Sequence, residues 1–214
     1  MSLKPLPESK VEERRRQPEN DLITALVQAE EAGDKLSEAE LFSMVILLIV
    51  AGHETTVNLI ANGTLALLQN PDQLALLKKD PTLSESAIEE FLRYDGPVER
   101  ATARFAAEDV ELGGHRIGRG DEVIVVLSSA NRDTAHFDHA DTLDITRKQN
   151  RHLGFGMGIH YCVGAPLARM EGQIAINTLL RRLPNLRLAV PAEELEWGTV
   201  PIIRGLARMP VEWG

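Results

Sequence analysis

The densest chemistry in the sequence lies in one stretch, Phe155-Gly156-Met157-Gly158-Ile159-His160-Tyr161-Cys162-Val163-Gly164. It holds the only cysteine of the chain, and four glycines fall between positions 154 and 164. Most lone cysteines in intracellular proteins are small buried apolar residues. Here the glycines let the backbone take positive φ and approach a flat ligand closely. A helix pattern begins just downstream, and a helix N-terminus favours a thiolate. The residue types therefore suit a thiolate ligand held under a planar cofactor. A phosphate-binding loop is excluded, because Tyr161 stands where the third glycine would be and no clear strand precedes the stretch.

A second group, Ala51-Gly52-His53-Glu54-Thr55-Thr56, interrupts an otherwise apolar helical pattern. Glycine inside a helix costs about 1 kcal/mol, and buried polar side chains add to that cost. One reading is a kink at a helix crossing. The other is a widened groove for a small ligand, with Thr55 and Glu54 supplying a hydroxyl and a carboxylate for proton relay. A zinc-protease helix is excluded, since the second histidine would fall at Val57. A third group, Glu89-Glu90-Phe91-Leu92-Arg93, puts Glu90 and Arg93 on one helix face. Alone it reads as a surface ion pair.

The elements that must position these residues follow from periodicity and breakers. Residues 1–20, with Pro5, Pro7 and Pro18, read as a linker or frayed helix end. A helix starts at Asn20 or Asp21, buries Leu22, Ile23, Leu26 and Val27, and stops at Gly33. Ser37 and Glu40 make a capping box that opens a helix running to Asn70, before Pro71. At about 32 residues it would be roughly 48 Å long. Its first half is apolar nearly all round, which predicts a path through the middle of a domain. Shorter helices follow near 72–79 and 84–94. Segments at 101–105, 108–112, 115–117 and 122–127 predict a small antiparallel sheet with glycine turns. Residues 133–151 form a long polar loop, 165–182 an amphipathic helix, and Leu186–Leu188 and Ile202-Ile203 further short strands.

The chain has 214 residues, with 23 Lys+Arg against 32 Asp+Glu and a formal charge of −9. That acid excess excludes a general nucleic-acid binder, which needs a basic face for phosphates. A single cysteine excludes an internal disulfide framework and an all-cysteine metal cage. No apolar stretch follows the arginines at 14–16, so no signal peptide is read there. The run from Leu41 to Gly52 is too short to span a bilayer, which predicts a cytoplasmic protein with no membrane contact.

Together the three groups resemble the cytochrome P450 family, the haem-thiolate monooxygenases. The cysteine stretch matches Phe-x-x-Gly-x-x-x-Cys-x-Gly at Phe155, Gly158, Cys162 and Gly164. The helix matches Ala/Gly-Gly-x-Asp/Glu-Thr-Thr/Ser at Ala51, Gly52, Glu54, Thr55 and Thr56, and Glu90 with Arg93 matches Glu-x-x-Arg. Asn131-Arg132-Asp133, His152-Leu153-Gly154-Phe155-Gly156 and Ala165-Pro166-Leu167-Ala168-Arg169 fit the soluble bacterial branch. The fold this implies is mainly α with small antiparallel β-sheets, the C-terminal portion of the cytochrome P450 fold built around a long central helix.

The resemblance implies haem b, with Cys162 as the axial thiolate on its iron. It implies that Phe155 packs near the sulfur, that His160 and Arg104 meet the haem propionates, and that Gly156, Gly164 and Ala51 line the cofactor. Thr55 and Glu54 would deliver protons to bound O2, with electrons coming ultimately from NAD(P)H. Arg147 would close a structural triad with Glu90 and Arg93. The implied partners are a small organic substrate and a ferredoxin or similar redox protein. Between 147 and 187 seven basic residues accompany a single acid, Glu171, which predicts a cationic face around Cys162 that steers an acidic partner. A solvated helix face explains the same charges equally well. A complete member of the family is roughly twice as long, so residues 21–214 read as its C-terminal haem-binding part with the N-terminal half missing, which would leave apolar surface of the long helix facing water. Two functions follow: a monooxygenase present as its C-terminal portion, or a truncated non-catalytic remnant that binds haem weakly or serves as an interaction domain.

Overall fold

The computed structural model describes residues 8–31 and 37–214. The chain divides into two compact units, residues 1–53 and 54–214.

In the first unit, part of the expected linker is a helix, α1 (Glu8–Arg16). Ion pairs hold it: Lys10 meets Glu13, and Arg14 reaches Glu19 and Asp21. Residues 1–7 of that expectation lie outside the described residues, as does the stop at Gly33. Helix α2 (Leu22–Glu31) is capped by Asp21, whose Oδ1 accepts the Thr24 N–H at 2.8 Å. Its apolar side is narrower than expected. Val27 is buried, Ile23 and Leu26 are half-buried, and Leu22 is exposed. Helix α3 (Glu38–Gln69) has the predicted length of 32 residues. The capping box forms as read, with the Ser37 N–H donating to Glu40 Oε2 at 2.7 Å and the Glu40 N–H to Ser37 Oγ at 3.4 Å.

The expectation that the first half of α3 is buried does not hold. Leu41 packs with Val11 and Val27, but Ile46, Leu47, Ile49 and Val50 are each at least 50% exposed. Two short helices can cover only one stripe of a helix that is apolar on every side. By length and composition α3 is apolar enough to cross a bilayer, with a mean hydropathy of 1.7. Its second half is nevertheless core: Leu59, Leu65, Ala66 and Leu67 are buried.

The second unit is built on α5. Helix α4 (Pro71–Lys79) starts with proline at its first position, where no N–H is needed, and ends on Lys78 and Lys79. Helix α5 (Ser84–Asp95) buries Ala87, Ile88, Phe91 and Leu92. Strands β1 (Arg104–Phe105) and β4 (Glu122–Val123) pair antiparallel, Arg104 opposite Val123. Between them β2 (Val110–Leu112) and β3 (His115–Ile117) form a separate hairpin. The single sheet expected for 101–127 is thus two ladders, and residues 127–130 form a helical turn, α6 (Leu127–Ala130). Residues 131–157 contain no helix or strand. Helix α7 (Ala165–Arg182) packs on α5, and β5 (Arg187–Leu188) pairs with β6 (Val211–Glu212). Ile203 makes only an isolated bridge, to Val98, in place of the strand expected there.

Side-chain size sets how closely these helices approach. A Cβ on Gly63 of α3 would lie 2.7 Å from the Phe91 ring, and one on Gly172 of α7 would lie 3.0 Å from Ile88. The core that results joins Leu59, Leu67, Ile88, Phe91, Ile145, Phe155 and Ile176.

Candidate functional site

The cysteine loop is a compact turn that ends where α7 begins. The Cys162 N–H donates to the Phe155 carbonyl at 2.9 Å, and the Ala165 N–H to the Cys162 carbonyl at 3.2 Å. Closing a loop this tightly needs positive φ, taken by Gly156 at 73° and Gly158 at 77°. Phe155 is the buried anchor, 9% exposed, while His160 and the Cys162 thiol face solvent. Ile159 and Val163 beside the thiol are 98% and 85% exposed. Along α7, Leu167, Met170 and Ile174 recur at helical spacing and are each more than half exposed. An exposed thiol thus has nearly bare apolar neighbours at Ile159 and Val163 and half-exposed ones along α7.

Of the other site residues read from the sequence, Ala51, Glu54 and Thr55 stand on α3 and Arg104 on β1. The helical assignment continues through Ala51–Thr56. Glu54 is exposed and Thr55 half-buried. The Glu54 carbonyl accepts from Asn58 Nδ2 at 2.9 Å. The Arg104 guanidinium donates to Thr102 and Ala103.

Behind the loop lies a buried ionic cluster. Arg93 Nε and Nη2 donate to the two carboxylate oxygens of Glu90, at 2.8 and 2.7 Å. Its remaining donors go to the carbonyls of Asn131, Ala140 and Thr142 at 2.6–3.0 Å. Arg147 Nε donates to Glu90 Oε2 at 3.1 Å, as do Asn150 Nδ2 at 3.1 Å and, to Oε1, the Asp144 N–H at 2.9 Å. Both side chains of the Glu90–Arg93 pair are fully buried. The surface ion pair read from this spacing is therefore the polar centre of the second unit, and it organises a loop that has no secondary structure.

Sequence reasoning missed the neighbouring cluster on Glu89. Arg169 Nε and Nη2 donate to its two oxygens at 2.6 and 2.9 Å, and His152 Nε2 lies 3.1 Å from Oε2. Burial pushes the Glu89 carboxyl up, but hydrogen bonds from His152 and Arg169 outweigh it and hold the group at about 2. The same carboxylate holds the Arg169 guanidinium well above its ordinary value. The one available signal was a second carboxylate next to Glu90, which is too common a pattern to mark a site.

The cationic face is also smaller than the charge count implied. Arg147, Arg169 and Arg187 are spent on Glu90, Glu89 and Glu212. Lys148 and Arg151 stay exposed and line an open cleft of about 1040 Å³ with His136, Asp133 and Met157.

The family model for cytochrome P450 matches residues 2–186. The chain belongs to the cytochrome P450 family. It is 52% identical over 204 residues to cytochrome P450 107B1 of Saccharopolyspora erythraea, covering 95% of this chain and 50% of that protein. It is 50% identical over 201 residues to the polyketide biosynthesis cytochrome P450 PksS of Bacillus subtilis, covering 94% and 50%. The solved PksS structure superposes with a TM-score of 0.92 at 49% identity, over 96% of this chain and 53% of that one. A myxobacterial cytochrome P450, CYP267B1, solved with myristic acid, gives 0.91 at 51% identity, over 96% and 51%. The chain spans about half the length of the curated relatives it matches. The mainly helical architecture with small antiparallel sheets is that of the C-terminal portion of the cytochrome P450 fold.

Cytochrome P450s are haem-iron proteins, and the residues present fit that group. A thiolate is the soft donor an iron porphyrin accepts. The Cys162 thiol is exposed, and the side chains of Ile159 and Val163 next to it are apolar and open to a flat apolar ligand.

Proposed function

We propose that this chain carries the haem-thiolate half of a monooxygenase that hydroxylates or epoxidises a small organic substrate. The observation that carries the proposal is the exposed lone thiol in a compact loop with two positive-φ glycines, bordered by the exposed side chains of Ile159 and Val163. Cys162 Sγ would hold the haem iron, and the family resemblance would put Phe155, Gly156, Gly164 and Ala51 against the macrocycle and His160 and Arg104 at the propionates. Haem b would supply O2 activation, with electrons from a redox partner fed by NAD(P)H. Thr55 Oγ1 would hold a proton at the reacting face, and the Glu54 carboxylate, exposed to solvent, would resupply it from water.

Exposed Lys148 and Arg151 support a docking face for an acidic redox protein of the ferredoxin kind. The substrate is a small organic molecule, in keeping with relatives solved with tirandamycin C and with myristic acid. A cytoplasmic setting is in keeping with the bacterial origin of its relatives from Saccharopolyspora erythraea and Bacillus subtilis.

The test is to express residues 1–214 with haem and record the reduced, carbon-monoxide-bound spectrum. A thiolate-type Soret band that disappears in Cys162→Ala supports the proposal. No such band, or a band unchanged in Cys162→Ala, overturns it for this chain and leaves a remnant or interaction domain.

A further inference from the structure

The cysteine loop is gripped at its entry and beside the cysteine by a set of side chains separate from the Glu90–Arg93 cluster. At its entry, the Gly154 N–H donates to His152 Nδ1 at 3.0 Å. That nitrogen therefore carries no proton, and Nε2 is the donor to Glu89 Oε2 at 3.1 Å. The fit is close, since a Cβ on Gly154 would lie 3.0 Å from the same nitrogen. Just before the cysteine, Arg169 Nη1 meets the Tyr161 hydroxyl at 3.3 Å. At its first residue, the Arg169 guanidinium carbon sits 4.6 Å from the Phe155 ring centroid, within cation–π range. His152 and Tyr161 flank the same ring, at 6.0 and 6.3 Å.

We propose that Glu89, His152 and Arg169 form an anchoring network that sets the pose of the Cys162 loop through Phe155, with Arg169 as the positioning residue. This rests on the reading of Cys162 as the iron ligand. The coupling is direct: the carbonyl of Phe155, whose ring Arg169 covers, accepts the Cys162 N–H. Two consecutive glutamates divide the work. Glu90 gathers the polar loop at 131–150, and Glu89 ties α5 to the cysteine loop and to α7. Only arginine does all of this at once. Its fork takes both Glu89 oxygens while the guanidinium lies over an aromatic ring, and an ammonium group cannot do both at once from that position.

The single cysteine makes a clean test, because any thiol reagent reads only Cys162. Hydrogen exchange of the Cys162 amide and the alkylation rate of its thiol are measured in the haem-free 214-residue chain. The variants are Arg169→Lys and Glu89→Gln, with Arg187→Ala, which breaks a distant exposed ion pair, as control. In Arg169→Lys and in Glu89→Gln, Cys162 exchange should rise at least about tenfold relative to the Phe91 amide in the same molecule. Alkylation should change with it, and Arg187→Ala should match the parent. In haem-loaded chain, both variants should lower the fraction with a thiolate-type Soret band. If Cys162 exchange stays at the parent value, or rises only in step with Phe91, the network merely stabilises the fold and the positioning role is wrong. Exchange and alkylation need no haem, so their result stands apart from whether the chain binds haem at all.

Discussion

Arg93→Lys keeps the positive charge at the centre of the buried cluster and removes the fork that distributes it. Arg93 makes five hydrogen bonds, two to Glu90 and three to the carbonyls of Asn131, Ala140 and Thr142. A lysine ammonium has three donors and cannot span acceptors spread around the edge of the guanidinium plane. At least two buried acceptors lose their partner, at about 1–3 kcal/mol each. Together with a poorer pair to Glu90, the expected loss is about 4 kcal/mol, in line with breaking a buried pair. For a chain of this size that lowers the melting temperature by roughly 8–16 °C. Urea unfolding followed by far-ultraviolet circular dichroism measures it. A loss below about 1 kcal/mol would refute the reasoning, because it would mean that the guanidinium donors are replaceable by water.

Two further outcomes follow from the geometry. Glu89 titrates at about 2 in the folded chain against an ordinary 4.5, so its stabilisation is complete above pH 4.5 and is lost as the pH falls towards 2. The side chain is 24% exposed, and the effect is worth at most about 3 kcal/mol. The stability gap between parent and Glu89→Gln should close over that window, and a gap independent of pH would show that Glu89 is not held as a carboxylate. At the tail, a Cβ on Gly205 would lie 1.9 Å from Asn58 Oδ1, so Gly205→Ala must displace the amide that donates to the Glu54 carbonyl. We expect a loss of about 1–3 kcal/mol, largely recovered by Asn58→Ala in the same chain. A Gly205→Ala melt at the parent temperature would show that the tail is not packed against α3.

What was legible in the sequence was what short range encodes. The Ser37/Glu40 box, the length of α3 and the turn of the cysteine loop each depend on residues within a few positions of one another. That apolar surface of the long helix would face water was legible, but not that Ile46, Leu47, Ile49 and Val50 would carry it, since an all-round apolar pattern names no face. Arg147 was assigned to Glu90 by family resemblance alone, because 57 residues separate the pair and periodicity carries nothing over that distance. Glu89 escaped for the same reason: His152 and Arg169 reach it from 63 and 80 residues away. The excess of basic residues near Cys162 was real as a count but overstated as a field, since a sequence does not reveal which arginines already have partners.

The loop at 131–150 has a kinetic consequence. Helices form in about a microsecond or less, but this segment has only isolated turns, such as those closed by Asp133 and Asp144, and no helix or strand to nucleate on. Its order comes from Glu90 and Arg93 closing on residues 38 to 60 positions away, and contacts of that span slow folding. During refolding α5 and α7 would collapse first, with a carboxylate and a guanidinium still seeking water. Burying that pair would wait for the loop to arrive. The last step of folding and the completion of the shell behind Cys162 are then the same event.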